Sequence, residues 1–448
     1  MPDDESAKEN AMRNSEQGWK QSTPFLPRAG GCLLLGLLLW GCSGDTLTAE
    51  ERATLATMRL APLPPSPTNA LADDPVAAQL GQQFFFDTRF SGPLREDSEG
   101  NVGGLGPEGA TARVACATCH NPETGGADPR GIGATSLASA WTARNTPTVI
   151  NAAFSSWMFW DGRRDSMWSQ ALAPLENPNE HNTTRIEVAR VIYQHYRQPY
   201  ESLFGSLPPL EDLDRFPDVG RPGMAAFDQM ADDDKTAVNR VFANFGKALE
   251  AYQRMLVDSS SPFDRYVAGD ELAISPAAVR GAKLFIGRAA CNECHSGPMF
   301  ADGRFHNHGV PQVGAKVPSV DTGRHDGIAK VLADEFNGLS PYSDVARQDM
   351  LAGLAPKAHD LGAFKTPTLR NVSRTGPYMH TGGFQSLWEV VVWYNEAAGT
   401  DNFVGTRSPA SIAPLRLTDD ELSDLVEFLR VLEGDPLPPE LARAPALP

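Results

Sequence analysis

Cys116-Ala117-Thr118-Cys119-His120 and Cys291-Asn292-Glu293-Cys294-His295 are the stretches whose reading decides the fold of this chain. In a C-x-x-C-H run the two thiols can form thioether bonds to the vinyl groups of a haem, and the following histidine is placed to reach the iron as its proximal ligand. A lone C-x-x-C would leave zinc or a redox disulfide open. Both copies here carry the adjacent histidine, so two covalently bound c-type haems are favoured over either. The motifs lie far enough apart for each to anchor a domain of its own.

The chain has six cysteines, and the remaining two, Cys32 and Cys42, lie in an N-terminal apolar stretch. No thiol pair is left for a disulfide in the folded body. Bacterial haem attachment of this kind takes place outside the cytoplasm, so an export signal is expected. Arg28 followed by Cys32-Leu33-Leu34-Leu35-Gly36-Leu37-Leu38-Leu39-Trp40-Gly41-Cys42 has that form, with an apolar run too short for a comfortable membrane span. Leu39-Trp40-Gly41-Cys42 resembles a lipobox, so a periplasmic lipoprotein is expected, with a plain cleaved signal or an uncleaved anchor as the alternatives and membrane contact only through this N-terminal segment. A start at Met12 would leave a basic leader of Arg13, Lys20 and Arg28. At 448 residues and 41% hydrophobic content the chain can build two or three cores, and its net charge of −17 argues against nucleic acid and allows attraction to a basic electron donor.

The organisation reads as a signal and anchor over 1–45, a Pro- and Ala-rich tether over 46–75, a first haem domain over 76–262 and a second over 263–448. Ala77-Ala78-Gln79-Leu80-Gly81-Gln82-Gln83-Phe84-Phe85 leads toward the first motif. Ala277-Ala278-Val279-Arg280-Gly281-Ala282-Lys283-Leu284-Phe285 leads toward the second. The echo continues: Thr146-Pro147-Thr148-Val149-Ile150-Asn151 matches Thr366-Pro367-Thr368-Leu369-Arg370-Asn371, which puts Trp160 and His380 at equivalent places. Val238 to Leu256 has helical periodicity, and Asp258 to Pro262 breaks it. Thr418-Asp419-Asp420-Glu421 is a capping box for a further amphipathic helix. No strand pattern competes, so the expected fold is mainly α, with two cytochrome c-like haem domains and long irregular loops at 92–114 and 305–350. His306, His308 and His325 in the latter read as solvated loop histidines rather than metal ligands.

These motifs, together with Arg144-Asn145, Phe159-Trp160-Asp161-Gly162-Arg163 and Gly376-Pro377-Tyr378-Met379-His380, make the chain similar to the bacterial di-haem cytochrome c peroxidase and MauG family from about Val76 to Gly434. The resemblance implies that the N-terminal haem reacts with hydrogen peroxide through a high-valent state while the C-terminal haem passes electrons. Trp160 matches the tryptophan between the haems, and Gln170, Pro174 and Glu180 match the distal pocket. A carboxyl such as Glu180 in an apolar pocket can move the proton that O–O cleavage needs. One departure stands out: no histidine lies between His120 and His181, and Ser136 falls about where family members place a ligand to the first iron. The first haem is therefore expected to rest open.

Tyr394 stands fourteen residues past His380, where the peroxidase branch has an axial methionine and the MauG branch a tyrosine; Met299 and Met379 are the methionine alternatives. A phenolate ligand favours ferric and higher oxidation states. The resemblance also implies a calcium ion held by Asn145, Thr375 and Pro377. The expected activity is peroxide reduction with electrons from a small donor protein, a cytochrome c or cupredoxin. Oxidation of residues on a partner protein, and a non-enzymatic electron carrier, are the alternatives.

Overall fold

A computed structural model describes residues 46–96, 104–128, 130, 135–258 and 261–448; the export signal and lipid anchor read over 1–45 lie outside them. Helices dominate, and local chemistry accounts for where they begin. Helix α1 (Ala49–Ala56) starts at a capping box between Thr48 and Glu51. Helix α2 (Pro75–Phe86) starts at Asp74, whose side chain accepts from the N–H groups of Val76 and Ala77, with Pro75 preset for the first turn. Serine caps open α3 (Met167–Glu176), then, after the long α4 (Asp232–Gln253), α5 (Pro276–Ile286) and α6 (Leu387–Asn395). The Thr418–Glu421 box opens α7 (Asp419–Arg430) as read from sequence. A two-residue antiparallel pairing joins β1 (Phe305–His306) to β2 (Phe364–Lys365), with Phe305 opposite Lys365.

The described residues form one unit, built around two large apolar cores. Phe84, Phe90, Trp168, Tyr196, Phe245 and Tyr252 centre the first, and Leu437 and Ala442 from the C-terminus close it. Phe263, Phe285, Phe300, Leu425 and Phe428 centre the second. In each, two helices cross at a glycine. A Cβ on Gly81 of α2 would stand 1.9 Å from the carbonyl oxygen of Ala248 in α4, and a Cβ on Gly281 of α5 the same distance from that of Asp424 in α7. Only glycine lets the backbones approach this closely.

Residues 46–75 are not the free tether that their composition predicted. The Thr48 box nucleates α1, and Leu55 and Met58 then bury fully in the second core. The 305–350 stretch likewise holds β1 and a helix over Arg324–Ala333 between its loops. No helix among the described residues is long and apolar enough to cross a membrane.

Candidate functional site

The two motifs open on one cavity of about 1110 Å³, lined by Cys116, Cys119 and His120 and by Cys294 and His295. None of the four motif cysteines is in a disulfide. His120 Nδ1 bonds the carbonyl of Gly126 at 3.3 Å, and His295 Nδ1 bonds that of Phe300 at 2.7 Å. Each bond fixes its ring and leaves Nε2 for a metal, and burial lowers the pKa of both imidazoles, keeping the neutral, ligating form. Three of the buried polar atoms without partners among the described residues, Asn145 Oδ1, His308 Nδ1 and Gln312 Oε1, belong to residues lining the same space. Thiol pairs, oriented histidines and a cavity of this size fit two covalently attached haems.

The repeat seen in the sequence is a repeat of backbone. Asn151 and Asn371 both take left-handed conformations (φ 62° and 59°), as do Phe159 and Met379 (65° and 66°) and Gly162 and Gly382 (64° and 65°). Isolated bridges Met158–Arg164 and Tyr378–Phe384 follow at matching places, and then Ser166 and Ser386 cap α3 and α6. Trp160 and His380 therefore occupy equivalent positions, with ring centroids 6.3 Å apart. Trp160 Nε1 donates to the Asn145 carbonyl at 2.8 Å, and His380 stacks on Phe364 at 3.6 Å. Eight residues into the matching helices the copies diverge: Pro174 holds the position in α3 that Tyr394 holds in α6, and both line the cavity. Proline offers no ligand atom, whereas a phenol does.

Gln170 and Glu180 line the cavity as well. Glu180 Oε1 accepts from Asn177 Nδ2 at 2.5 Å. Burial raises its pKa, against the charge of Arg163 and the Asn177 bond. It is close enough to Cys116 and Cys119 for its charge to act on both thiols, which places it at the first motif. Ser136 is buried with its hydroxyl 2.6 Å from that of Thr146, and it is not among the lining residues. His181 bonds the Phe90 carbonyl through Nδ1 and points Nε2 at Cys116 Sγ, 4.0 Å away.

At the second motif Tyr394 is enclosed, and burial raises its phenol. Met299 and Met379 also line the cavity. Asn145 Nδ2 lies 2.6 Å from the Pro377 carbonyl oxygen, and Thr375 is in the same wall. The expectation that the 305–350 histidines are solvated holds only for His325, which contacts Asp326 at 3.1 Å. His306 and His308 line the cavity because β1 carries the chain inward. His306 bonds Asp302 at 2.7 Å, and the His308 ring stands 5.6 Å from that of Tyr394. Sequence reading also missed Arg144, which pairs with Asp161 and Asp321, each at 2.7 Å.

Comparison with known proteins agrees with this geometry. Residues 75–272 match a family described as di-haem cytochrome c peroxidase. The chain is 32% identical over 402 residues to the cytochrome-c peroxidase IdrP2 of Pseudomonas sp. strain SCT, covering 89% of this chain and 92% of that one. It is also 32% identical to the methylamine utilization protein MauG of Methylophilus methylotrophus, covering 83% and 85%. Among solved structures it resembles the diheme peroxidase BthA of Burkholderia thailandensis with a TM-score of 0.58 at 22% identity, covering 84% of this chain and 91% of that one.

Proposed function

The chain belongs to the di-haem cytochrome c peroxidase and MauG family, and on that premise we propose that it reduces hydrogen peroxide at the Cys116 haem with electrons that reach it from the Cys291 haem. The haems, when bound, supply the redox chemistry: two electrons and two protons convert one peroxide to two waters. The protein's own part is to place protons and keep one site open. The observation that carries the reading is the enclosed Glu180 beside the first motif, in a cavity whose wall has Pro174, not a ligand, at the place that Tyr394 holds in the second copy. A carboxyl whose burial favours the protonated form can deliver a proton to the departing oxygen and recover one from water. Gln170 supplies an amide to hold peroxide, and the Trp160 indole, fixed by its bond to the Asn145 carbonyl, bridges the two halves of the cavity.

With Ser136 tied to Thr146 and no histidine in the sequence between His120 and His181, a haem held by Cys116, Cys119 and His120 would be open to peroxide without prior reduction. A haem held by Cys291, Cys294 and His295 would take Tyr394 as its other protein ligand. A calcium ion between the halves fits Asn145, whose Oδ1 lacks a partner beside the Pro377 carbonyl, with Thr375 adjacent. We also retain the division at 262/263 into a peroxidatic and an electron-transfer unit, export to the periplasm, and lipidation of Cys42. A cytochrome c or cupredoxin serves as donor.

Tyr394 and the absence of a capping histidine favour a second reading, in which residues of a partner protein supply the electrons. Two assays separate the readings. Rapid peroxide consumption with reduced cytochrome c supports the peroxidase. Slow turnover there, with oxidative mass changes on a co-encoded protein, supports the protein-modifying enzyme. Absence of both, with no spectral response to peroxide, leaves an electron carrier.

A further inference from the structure

Lys365 is an enclosed cation that the peroxide chemistry does not use. Lys365 lines the cavity, and among the described residues its ammonium donates to the hydroxyl of Ser155, at 3.2 Å. The other cationic lysine and arginine side chains in the described wall are accounted for. Arg144 pairs with Asp161 and Asp321, Arg163 pairs with Asp161, and Lys330 is exposed. Enclosure without a carboxylate lowers the pKa of Lys365 to about 8, and desolvation is the whole cause.

The backbone holds Lys365 in place from three sides. Its N–H donates to the Trp160 carbonyl at 2.7 Å, the next residue's N–H donates to Arg304, and β2 pairs it with Phe305. It sits immediately before Thr366-Pro367-Thr368, the place that Asn145 holds before Thr146-Pro147-Thr148 in the first copy. A half-buried ammonium facing a cavity, with no carboxylate partner among the described residues, is a costly arrangement unless a ligand brings the anion. Two haems bring four propionates into this cavity.

We propose that Lys365 holds a haem propionate in the space between the two attachment motifs. The pairing neutralises a carboxylate next to Trp160 and places a fixed positive charge beside one macrocycle, which raises that haem's reduction potential over that of a haem whose propionate is unpaired. The inference rests on haem occupancy and is independent of peroxide turnover.

The test uses the holoprotein with two haems per chain verified by pyridine haemochrome. Resonance Raman spectra report the propionate bending mode, and spectroelectrochemistry reports the two potentials. Lys365→Met is expected to shift the bending mode of one haem to lower frequency and to lower one potential, leaving the other haem unchanged. Lys365→Arg restores both readouts, and Lys365→Gln, a neutral donor, restores part of the Raman shift but not the potential. An unchanged bending mode in a two-haem Lys365→Met or Lys365→Gln protein overturns the proposal. If Lys365→Met does not retain haem, the Gln variant decides. A wild-type protein inactive toward peroxide would sink the peroxidase reading while leaving these spectra to judge the lysine.

Discussion

Replacing Arg370 by methionine should cost about 3–5 kcal/mol of stability, the range for breaking one side of a buried ion pair. Its side chain is fully buried and engages Asp264 through two bonds, at 2.8 and 2.9 Å. It also donates to the carbonyls of Pro298 at 2.6 Å and Met58 at 3.1 Å. The variant strands the Asp264 charge, which retains the N–H of Leu60 and the N–H and hydroxyl of Ser261 as donors. It also frees the Pro298–Phe300 turn whose last carbonyl orients His295. The acid limb gives a second measure of the same pair. Burial alone would raise the Asp264 carboxyl, but Arg370, Ser261 and Leu60 hold it at about 2 against 3.8. At 1.36 kcal/mol per unit that is about 2.5 kcal/mol. Because the folded pKa is depressed, this contribution is complete above about pH 4 and is lost as pH falls through about 2. Urea unfolding of the oxidised holoprotein, followed by far-ultraviolet circular dichroism from pH 7 to pH 2, measures both. Asp264→Asn should cost about as much, about 3–5 kcal/mol, because it strands the buried Arg370 guanidinium and sets an amide NH2 against donors that both carboxylate oxygens now accept from. An Arg370→Met protein within about 1 kcal/mol of wild type at pH 7 would refute the reasoning.

Glu180→Gln should slow the reaction of the diferric protein with peroxide by about 10²- to 10⁴-fold while leaving its resting spectrum unchanged; a stopped-flow loss below about tenfold removes Glu180 from proton transfer. Gly281→Ala must push α5 away from the Asp424 carbonyl, so thermal unfolding should show a loss of about 1–3 kcal/mol, and an unchanged midpoint would mean that the helices do not cross as described. Tyr394→Phe should abolish the oxidised low-spin signal of the second haem in paramagnetic resonance. Persistence of that signal would move the ligand to Met299 or Met379.

Features set by neighbours in sequence were legible in advance. The two C-x-x-C-H runs, the Thr418 box and the matched Thr-Pro-Thr segments are short patterns with local physical causes, and the fold places them as read. The Thr48 box was equally local, but Pro-rich surroundings masked it, and only the second core shows why Leu55 and Met58 are apolar. What could not be read depends on partners far along the chain. Arg144 looks like a surface charge until Asp321 arrives from 177 residues away. Lys365 looks ordinary until the fold encloses it. His308 turns inward because Asn307 is tied to Thr406 and Gly309 to Thr400.

The two copies also explain how haem units can diverge and still be held in register. Asn151 and Asn371 each adopt the left-handed conformation that asparagine tolerates better than most residues. Their side-chain amides both donate to the same oxygen of Asp258, at 2.6 and 2.7 Å. The remaining bonds are paired in the same way: Asn151 Oδ1 accepts from the N–H of Asp258 and Asn371 Oδ1 from that of Gly434, while the two backbone N–H groups donate to Leu256 and Leu432. One carboxylate, five residues past the end of the long helix α4, therefore joins equivalent turns of both halves. Because these turns precede Trp160 and His380 by nine residues each, the shared acid fixes the segments that carry the central aromatic residues. Side chains beyond it, Pro174 in one copy and Tyr394 in the other, were free to change without disturbing that spacing. Asymmetric chemistry on a symmetric frame follows from placing the invariant contacts at the junction and the variable ones on the capped helices.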